Sequence, residues 1–533
     1  MELNDQQTQR LAKADELRHE GTNPYPPRSY RTHTAAEAQQ RFAEIEPDLA
    51  AGLDPEEIHV AGRATAIRDM GKSVFARLVD GSGSIQVYVR RNVTGDEQFA
   101  RFKRFVDLGD FIQVPGHLFR TRTGEVTVEA RGFDLLAKAI NPPPEKWHGL
   151  SDVETRYRQR YVDLMANDET RRVFVVRSNV IRSIRRFLDE RDFLEVETPS
   201  LQSLYGGAAA KPFTTYYNAL DQTFYLRIAD ELYLKRLLVG GYERVYEICK
   251  DYRNEGIDAL HSPEFTMLEF YVAYADYNDV MVLCEEMVSR AALDALGTPT
   301  ISRDGHEIDL TPPWPRLTLR DALIRWTGID YLEVPDQGEL YERARALGAD
   351  VAQETVWPRI VDELMKTFVR PNLIQPTFLV DYPVELSPLA KRSPDDPRIA
   401  ERFQPFVAGF ELGNAFSELN DPMDQLNRFL EQARDRAAGD EDAMPIDEDY
   451  VNALMYGMPP TGGFGLGIDR LVMLLTDRQH IREVILFPHL RSRPAAARTG
   501  PVESEVADPT CDVDPRSNDR PTEIPRQTTH DQR

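Results

Sequence analysis

The chain has 533 residues, with 64 lysines and arginines against 88 aspartates and glutamates and a formal net charge of −24. Such an acidic balance argues against nucleic-acid binding by general charge attraction, so DNA is not an expected partner, although a local basic surface stays possible. The three cysteines, Cys249, Cys284 and Cys511, lie far apart, which predicts neither a disulfide framework nor a zinc site and fits a reducing cytoplasm. The polar start and the lack of long apolar runs predict no secretory leader and no membrane partner.

The first 142 residues predict a helical arm and a small barrel. Residues 1–55 are charged and alanine-rich, which predicts one or two exposed helices broken at the prolines near Tyr25. Short strands enriched in β-branched residues, with a helix near 96–107, are predicted in the domain 56–142: 58–63, 73–78, 84–89, 111–116 and 125–129. Five strands with one helix favour an OB-fold, a common reader of single-stranded nucleic acid, although other small barrels share that count.

The remaining chain predicts a linker, an α+β domain and a tail. Three prolines end the barrel domain and lead into a charged linker, 143–170. The domain 171–491 mixes helices and strands, and it begins with an amphipathic helix over 176–191. A strand follows at 193–199, and the stretch 317–372 is mostly helical by pattern. The tail, 492–533, is rich in Pro, Ser, Thr and Asp and is predicted to be disordered.

A strand–turn–strand pattern surrounds Arg253. One strand precedes it, a turn follows at Gly256, and a second strand runs from Phe265 to Tyr271. Alternate side chains of a strand share a face, so Glu269 and Tyr271 point the same way. The planar fork of an arginine fixed at such a place suits a phosphate, because it binds two oxygens at once. An arginine beside a glutamate is more often, however, a surface ion pair.

A glycine-rich run at 462–467 leads into a helix that begins near Arg470. A basic residue in a first helical turn is unfavourable to the helix dipole, which suggests a functional reason for Arg470. The alternative is a glycine-rich turn before a core helix. Neither a following Gly-Lys-Ser/Thr sequence nor a βαβ unit is present, so the run is not a P-loop or dinucleotide fingerprint.

Two further segments carry polar groups on patterned elements. Asn414, Phe416 and Glu418 alternate along a predicted strand and therefore share a face. A buried face of amide, aromatic and carboxylate is costly unless each polar group has a partner, and a ligand with an ammonium group would supply one. Glu231 stands at a predicted helix start, a position that is commonly solvated.

Together these segments resemble the lysyl-tRNA synthetases, a family of class II aminoacyl-tRNA synthetases, over residues 3–491. Residues 247–271 and 462–470 are similar to motifs 2 and 3 of that class. Further segments carry the resemblance: Asn23–Pro26, His148–Leu150, Arg156–Tyr161, Glu195–Pro199, Gly206–Ala208, Leu226–Ile228, Glu231–Arg236 and Ser387–Ala390. The resemblance implies an OB-fold anticodon-binding domain, a catalytic antiparallel sheet flanked by helices, and a homodimer formed around Pro199.

The resemblance also implies a reaction, its partners and a set of site residues. L-lysine would attack the α-phosphate of ATP, with Mg²⁺, and the lysyl group would then pass to the 3′ end of tRNA(Lys) in the cytoplasm. No protein nucleophile is required, so catalysis would depend on positioning and charge, with Arg253 and Arg470 holding phosphates. The remaining ATP contacts would come from Glu255, His261, Phe265 and Glu411. Lysine would be bound by Gly207, Glu231, Glu269, Tyr271, Asn414, Phe416 and Glu418. The anticodon would meet Phe75 and Gln86, although core packing is the alternative for Phe75.

One position departs from the family pattern. Gln404 stands where the family carries a glutamate that, together with the one at Glu411, holds magnesium. An amide oxygen brings no charge, and hard cations prefer carboxylates. Either Glu411 and the phosphates hold the metal alone, or activation is impaired. The second case leaves open a tRNA-binding or regulatory paralogue, and a paralogue that lysylates another acceptor is a further alternative. The retained arginines and lysine pocket speak against a non-catalytic chain.

Overall fold

The computed structural model describes residues 3–50, 56–144, 152–437 and 444–492. The segment His148–Leu150 and all but the first residue of the tail predicted to be disordered lie outside the described residues. The helices in chain order are α1 Asp5–His19, α2 Ala35–Ala50, α3 Arg91–Thr94, α4 Asp96–Phe105, α5 Val153–Arg158, α6 Arg160–Ala166, α7 Asp168–Asp189, α8 Glu231–Val239, α9 Tyr277–Leu296, α10 Leu319–Thr327, α11 Gln337–Ala346, α12 Trp357–Leu364, α13 Pro422–Ala437, α14 Glu448–Met455 and α15 Ile468–Leu475.

The described strands form a barrel sheet, a large central sheet and two small sheets. In chain order they are β1 Glu57–Asp69, β2 Ser73–Val79, β3 Ser84–Arg90, β4 Phe111–Arg120, β5 Val126–Ala130, β6 Asp134–Ala137, β7 Leu194–Glu195, β8 Leu201–Gln202, β9 Thr214–Tyr217, β10 Gln222–Leu226, β11 Arg244–Tyr252, β12 Glu264–Ala273, β13 Thr300–Arg303, β14 His306–Asp309, β15 Arg316–Thr318, β16 Thr377–Pro383, β17 Ile399–Val407, β18 Phe410–Glu411, β19 Gly413–Ser417 and β20 Thr461–Gly467.

The predicted OB-fold barrel is confirmed as a closed sheet. The order β1-β2-β3-β5-β4 returns to β1 through a β1–β4 pairing, so the five predicted strands close on themselves. The helix α4 buries Phe99, Phe102 and Phe105 against the barrel interior. A sixth strand, β6, adds to β4, and the sequence pattern missed it because four residues are too few to show an alternation.

The α+β class is confirmed in the second half of the chain by a nine-stranded sheet. Its main path runs β15-β16-β17-β19-β20-β12-β11-β7, and β18 pairs with β17. The central strands are antiparallel, while the outer pairs β15–β16 and β7–β11 are parallel. The strand expected over 193–199 is only the two residues of β7. Helices α7 and α9 cover one face with a large apolar core, which includes the predicted stripe at Val176, Val180 and Ile184.

Two smaller apolar cores flank the opposite face of the central sheet. One is formed by α10, α11 and α12, which account for the helical stretch predicted over 317–372. The other joins α8, α13 and α14 to strands β11 and β12. Between these cores the middle of the sheet carries polar side chains and glycines. Among the described residues, none of the helices has both the length and the apolar character needed to cross a membrane.

Candidate active site

Three adjacent strands form the floor of a cleft of about 420 Å³. In the central strand, β20, Gly463 lies between Tyr271 of β12 and Phe416 of β19, and Gly465 lies between Glu269 and Asn414. These side chains therefore share one face, with no side chain between them. The glycine-rich run is thus a strand, and the alternative of a glycine-rich turn is wrong.

The absence of a side chain at Gly463 is essential to the shape of the cleft. A Cβ atom there would lie 2.5 Å from Cε1 of Tyr271 and would overlap a carboxylate oxygen of Glu418. We expect Gly463→Ala to displace both side chains and to raise the KM for lysine at least about tenfold, a loss of about 1.4 kcal/mol. Gly465→Ala is the matched control, because its Cβ would lie 3.3 Å from the flexible end of Met267 and would meet Glu269 only at ordinary van der Waals distances of 3.7 and 3.8 Å. Steady-state kinetics with equal losses in the two variants would contradict this account.

A lysine of the protein itself lies behind the acidic end of the cleft, outside the residues that line it. Lys235 is fully buried, its Nζ lies 2.5 Å from Oε1 of Glu231, and it forms an ion pair with Glu418. The solvated position considered for Glu231 is therefore wrong, since this side chain is only 6% exposed. The i,i+4 spacing of Glu231 and Lys235 on α8 was the one available sequence signal. Glu418 lies across the cleft and could not be paired with Lys235 from spacing.

The charged groups at this end of the cleft shift one another's pKa values. Burial raises the pKa of Glu418 to about 8, against the opposing effect of the Lys235 ammonium. Burial would lower the pKa of Lys235, but Glu231 and Glu418 outweigh it and raise that pKa above its usual range. The three groups therefore form a triad of two carboxyls and one ammonium, which can accept one further cation when both carboxyls are ionised.

Next to this triad, Tyr271 donates a hydrogen bond from its hydroxyl to Oε2 of Glu269 at 3.0 Å. Burial, and then the neighbouring carboxylates of Asp230 and Glu231, raise the pKa of Glu269. On the far side, Nε of Arg402 donates to Oδ1 of Asn414 at 2.9 Å, which orients that amide.

The loop between β8 and β9 completes the cleft wall. Gly207 has φ +86°, and a Cβ atom there would lie 3.0 Å from the Cβ of Ala229, so only glycine fits without strain. All seven residues expected to bind lysine line this one cleft: Gly207, Glu231, Glu269, Tyr271, Asn414, Phe416 and Glu418.

Arginines define the other end of the cleft. The guanidinium of Arg253 lies 5.0 Å from the ring centre of Phe265, and its Nη2 donates to the carbonyl of Ile228 at 3.3 Å. Within the described part of the chain Arg253 forms no ion pair with a carboxylate, so the surface ion-pair alternative is wrong. Its side chain lines the cleft, available to an anion.

Arg470, in the segment similar to motif 3, contacts His261, in the segment similar to motif 2. Its Nη1 donates to the backbone carbonyl of Glu411 at 3.2 Å, and its Nη2 lies 3.2 Å from Nε2 of His261. Glu255, Phe265 and His261 also line the cleft at this end. Every residue expected to contact ATP is therefore brought together by the fold.

Gln404 and Glu411 lie on the same face of the sheet. Phe406 of β17 pairs with Glu411 of β18, and Gln404 precedes Phe406 by two residues. The Oε1 atom of Gln404 is buried and accepts no hydrogen bond from the described residues. An orphaned buried oxygen beside a carboxylate fits a cation that takes its other ligands from phosphates. The residues present therefore fit Mg²⁺, with one protein charge.

The barrel residues lie on its outer surface. Phe75 stacks on Tyr88 with ring centres 4.3 Å apart and is absent from the barrel core, so the core-packing alternative is wrong. Gln86 donates from Nε2 to Glu125 at 2.7 Å and accepts from Thr127 at 3.0 Å. A base would therefore have to exchange these bonds to be read by Gln86.

The fold and the cleft define the class. The model of the class II tRNA synthetases (D, K and N) matches residues 152–491, and an OB-fold nucleic-acid-binding model matches residues 58–136.

Individual relatives identify a narrower family than these models do. A lysine–tRNA ligase of Chloroflexus aurantiacus (strain ATCC 29366 / DSM 635 / J-10-fl) is 57% identical over 494 residues, which cover 92% of this chain and 99% of that protein. Lysine–tRNA ligases of Roseiflexus castenholzii and Pelotomaculum thermopropionicum are 56% and 53% identical, each over 92% of this chain and over 100% and 96% of those proteins. The chain belongs to the lysine–tRNA ligase family of class II synthetases.

Proposed function

We propose that the cleft activates L-lysine with ATP and that the chain then transfers the lysyl group to the 3′ end of tRNA(Lys). The observation that carries this proposal is one glycine-floored cleft with carboxyls at one end and two arginines at the other. An amino acid with an ammonium side chain fits the acidic end, and a triphosphate fits the basic end.

The reaction needs no protein nucleophile. The lysine carboxylate attacks the α-phosphorus of ATP, the bond to the bridging oxygen breaks, and pyrophosphate leaves with the electron pair. Arg253 would stabilise charge on the α-phosphate, and Arg470, held by Glu411 and His261, would hold the far phosphates. Phe265 would stack on adenine, with Glu255 near its amino group.

Selection of lysine would follow from the buried carboxyls. Glu231, Glu269 and Glu418 would contact the substrate's ammonium groups, with Gly207, Tyr271, Asn414 and Phe416 completing the pocket. An aspartate or asparagine would bring no ammonium side chain, so the carboxylate charge in excess of Lys235 would stay without a cation, which discriminates by orders of magnitude. The pocket would exclude such substrates by the cost of that unpaired charge rather than by size.

Mg²⁺ would be held by Glu411, with Gln404 as a neutral second ligand, and would neutralise charge on the triphosphate when bound. We expect Gln404→Glu to lower the Mg²⁺ concentration at half-maximal exchange several-fold, because it adds a charged oxygen at a buried orphaned position. Gln337→Glu, an exposed position on α11, is the charge-matched control. An unchanged titration in Gln404→Glu would mean that residue 404 is not a ligand. Direct Mn²⁺ binding, followed by electron paramagnetic resonance, tests the same point without turnover.

We also propose that the barrel reads the anticodon, with Phe75 stacking on a base and Gln86 contacting a base edge. The division between a barrel at 56–142 and a catalytic domain at 171–491, joined by a linker at 143–170, is supported by their separate apolar cores, whereas the arm at 1–55 shares the core of the barrel. A homodimer around Pro199 is supported by exposed Leu194 and Leu201 on either side of it, and sedimentation equilibrium measures it. A cytoplasmic location is supported by the free thiols of Cys249 and Cys284.

The complete reaction is tested by charging a tRNA(Lys) transcript with radiolabelled lysine. The proposal expects label in acid-precipitable tRNA that depends on ATP and on a matching anticodon. Phe75→Ala should raise the KM for tRNA and leave lysine-dependent pyrophosphate exchange unchanged. Exchange without any charging of tRNA would favour a paralogue with another acceptor, and neither activity in a folded chain would favour a non-catalytic one.

A further inference from the structure

Asp230 is an aspartate at a helix start that does not cap its helix. It is the N-cap residue of α8, yet its side chain makes no capping hydrogen bond. The aspartates before α9 and α11, Asp276 and Asp336, both cap with their side chains, as this residue type usually does. The Asp230 side chain is instead fully buried, and neither carboxylate oxygen receives a hydrogen bond from an N–H or O–H group of the described residues.

The carboxyl of Asp230 faces Glu269, the residue proposed to meet an ammonium group of lysine. The two side chains are within hydrogen-bonding reach of each other, and oxygens of Asp230, Asp251 and Glu269 lie within 4.8 Å of one another. Glu269 lines the cleft, whereas Asp230 lies behind it. A carboxyl pair at this distance is stable only if one member carries a proton.

The hydrogen-bond donors around the pair distinguish its two carboxyls. Groups that face the pair come from several elements: Glu247, Cys249 and Asp251 on β11, Tyr271 on β12, Glu231 on α8, and Arg227 before α8. Arg227 lies 2.7 Å from Glu247 and 3.4 Å from Asp251, so its charge is already shared by these two. Tyr271 donates to Glu269, and no donor reaches Asp230 from the described residues.

We propose that Asp230 is a positioning residue, which donates its carboxyl proton to Glu269 and so holds the Glu269 carboxylate for an ammonium group of the substrate. The inference rests on the proposed function, since Glu269 is assigned to lysine there. Burial, followed by the charges of Asp251 and Glu247, raises the pKa of Asp230 well above its usual range. Burial raises the pKa of Glu269 as well, so the assignment of the proton to Asp230 rests on the lack of a donor to its oxygens among the described residues.

Two substitutions test whether Asp230 acts by donating a hydrogen bond or by carrying a negative charge. Asp230→Asn keeps the shape and a donor, so we expect its KM for lysine to stay within about threefold of wild type. Asp230→Ala leaves Glu269 without that donor, so we expect its KM for lysine to rise about tenfold at an unchanged KM for ATP. Asp336→Asn, a capping aspartate on α11, is the matched control and should match wild type. An asparagine variant as impaired as the alanine variant would overturn the proposal, as would a normal alanine variant.

A spectroscopic and a thermal measurement test the proton itself, whether or not the chain is active. The infrared spectrum of wild type minus Asp230→Asn at neutral pH should contain a protonated carboxyl band that shifts on carbon-13 labelling of aspartate. The difference with Asp336→Asn should lack this band.

The pH dependence of the Tm should report the same proton. An acid whose pKa is raised on folding loses stabilisation as pH rises above its unfolded value of about 4, so the Tm advantage of Asp230→Asn should widen from about pH 5 to about pH 8. A missing band together with a constant Tm difference would show a charged Asp230 and overturn the proposal. Lack of lysine-dependent exchange in wild type would instead count against the proposed function and leave these two measurements valid.

Discussion

Arg253→Ala should lower lysine-dependent ATP–pyrophosphate exchange by about 10³-fold, since a fixed donor at developing charge contributes about 10²–10³ and an arginine on a transferring phosphoryl group more. In this structure the guanidinium has no competing carboxylate among the described residues and is held against Phe265. The loss should fall on kcat for exchange, with little change in lysine affinity measured by calorimetry without ATP.

Arg253→Lys is the matched variant for this result. It keeps the positive charge but loses the planar fork that binds two oxygens, so we expect it to recover only a small part of the activity. Full activity in the lysine variant would show that charge alone is sufficient. Full activity in the alanine variant would remove Arg253 from the reaction.

Lys235→Met should weaken lysine binding and lower the stability of the fold. It leaves Glu231 and Glu418 buried without their counter-ion, and breaking a buried pair in this way costs about 3–5 kcal/mol. One of the two carboxyls must then carry a proton, because loss of the ammonium removes the influence that lowers the pKa of Glu418. We therefore expect a lower Tm and a KM for lysine raised at least about 100-fold.

The pH dependence and a compensating variant test the charge argument. In Lys235→Met the KM for lysine should fall as pH rises, because substrate ammonium needs an ionised carboxylate. Adding Glu231→Gln removes the second buried carboxyl, which would otherwise have to be protonated, so the double variant should recover part of the lost Tm. Lys250→Met, in an exposed pair 3.7 Å from Glu264, is the control and should change neither quantity. A Lys235→Met chain with normal stability and normal KM would contradict the role of this ammonium.

Local pattern predicted much of the fold and one side of the cleft. Period-two alternation placed Glu269 with Tyr271 and Asn414 with Phe416, because strand geometry alone determines which side chains share a face. Enrichment in β-branched residues located the five barrel strands. The resemblance, rather than the pattern, assigned ATP roles to Arg253 and Arg470.

The rest depended on contacts between distant segments. Lys235 meets Glu418 only because α8 packs across the sheet, and no spacing in the sequence encodes that contact. Asp230 looks like an ordinary helix cap until the fold buries it beside Glu269. Gly463 belongs to a strand rather than a turn, since its neighbours on β12 and β19 supply the pairing.

The central claim is that this cleft makes lysyl-adenylate, and lysine-dependent ATP–pyrophosphate exchange on the purified full chain tests it most directly. The account predicts exchange with lysine, across a range of Mg²⁺ concentrations, and none with aspartate or asparagine. Exchange with aspartate, or no exchange with lysine at any Mg²⁺ concentration in a folded chain, would contradict it.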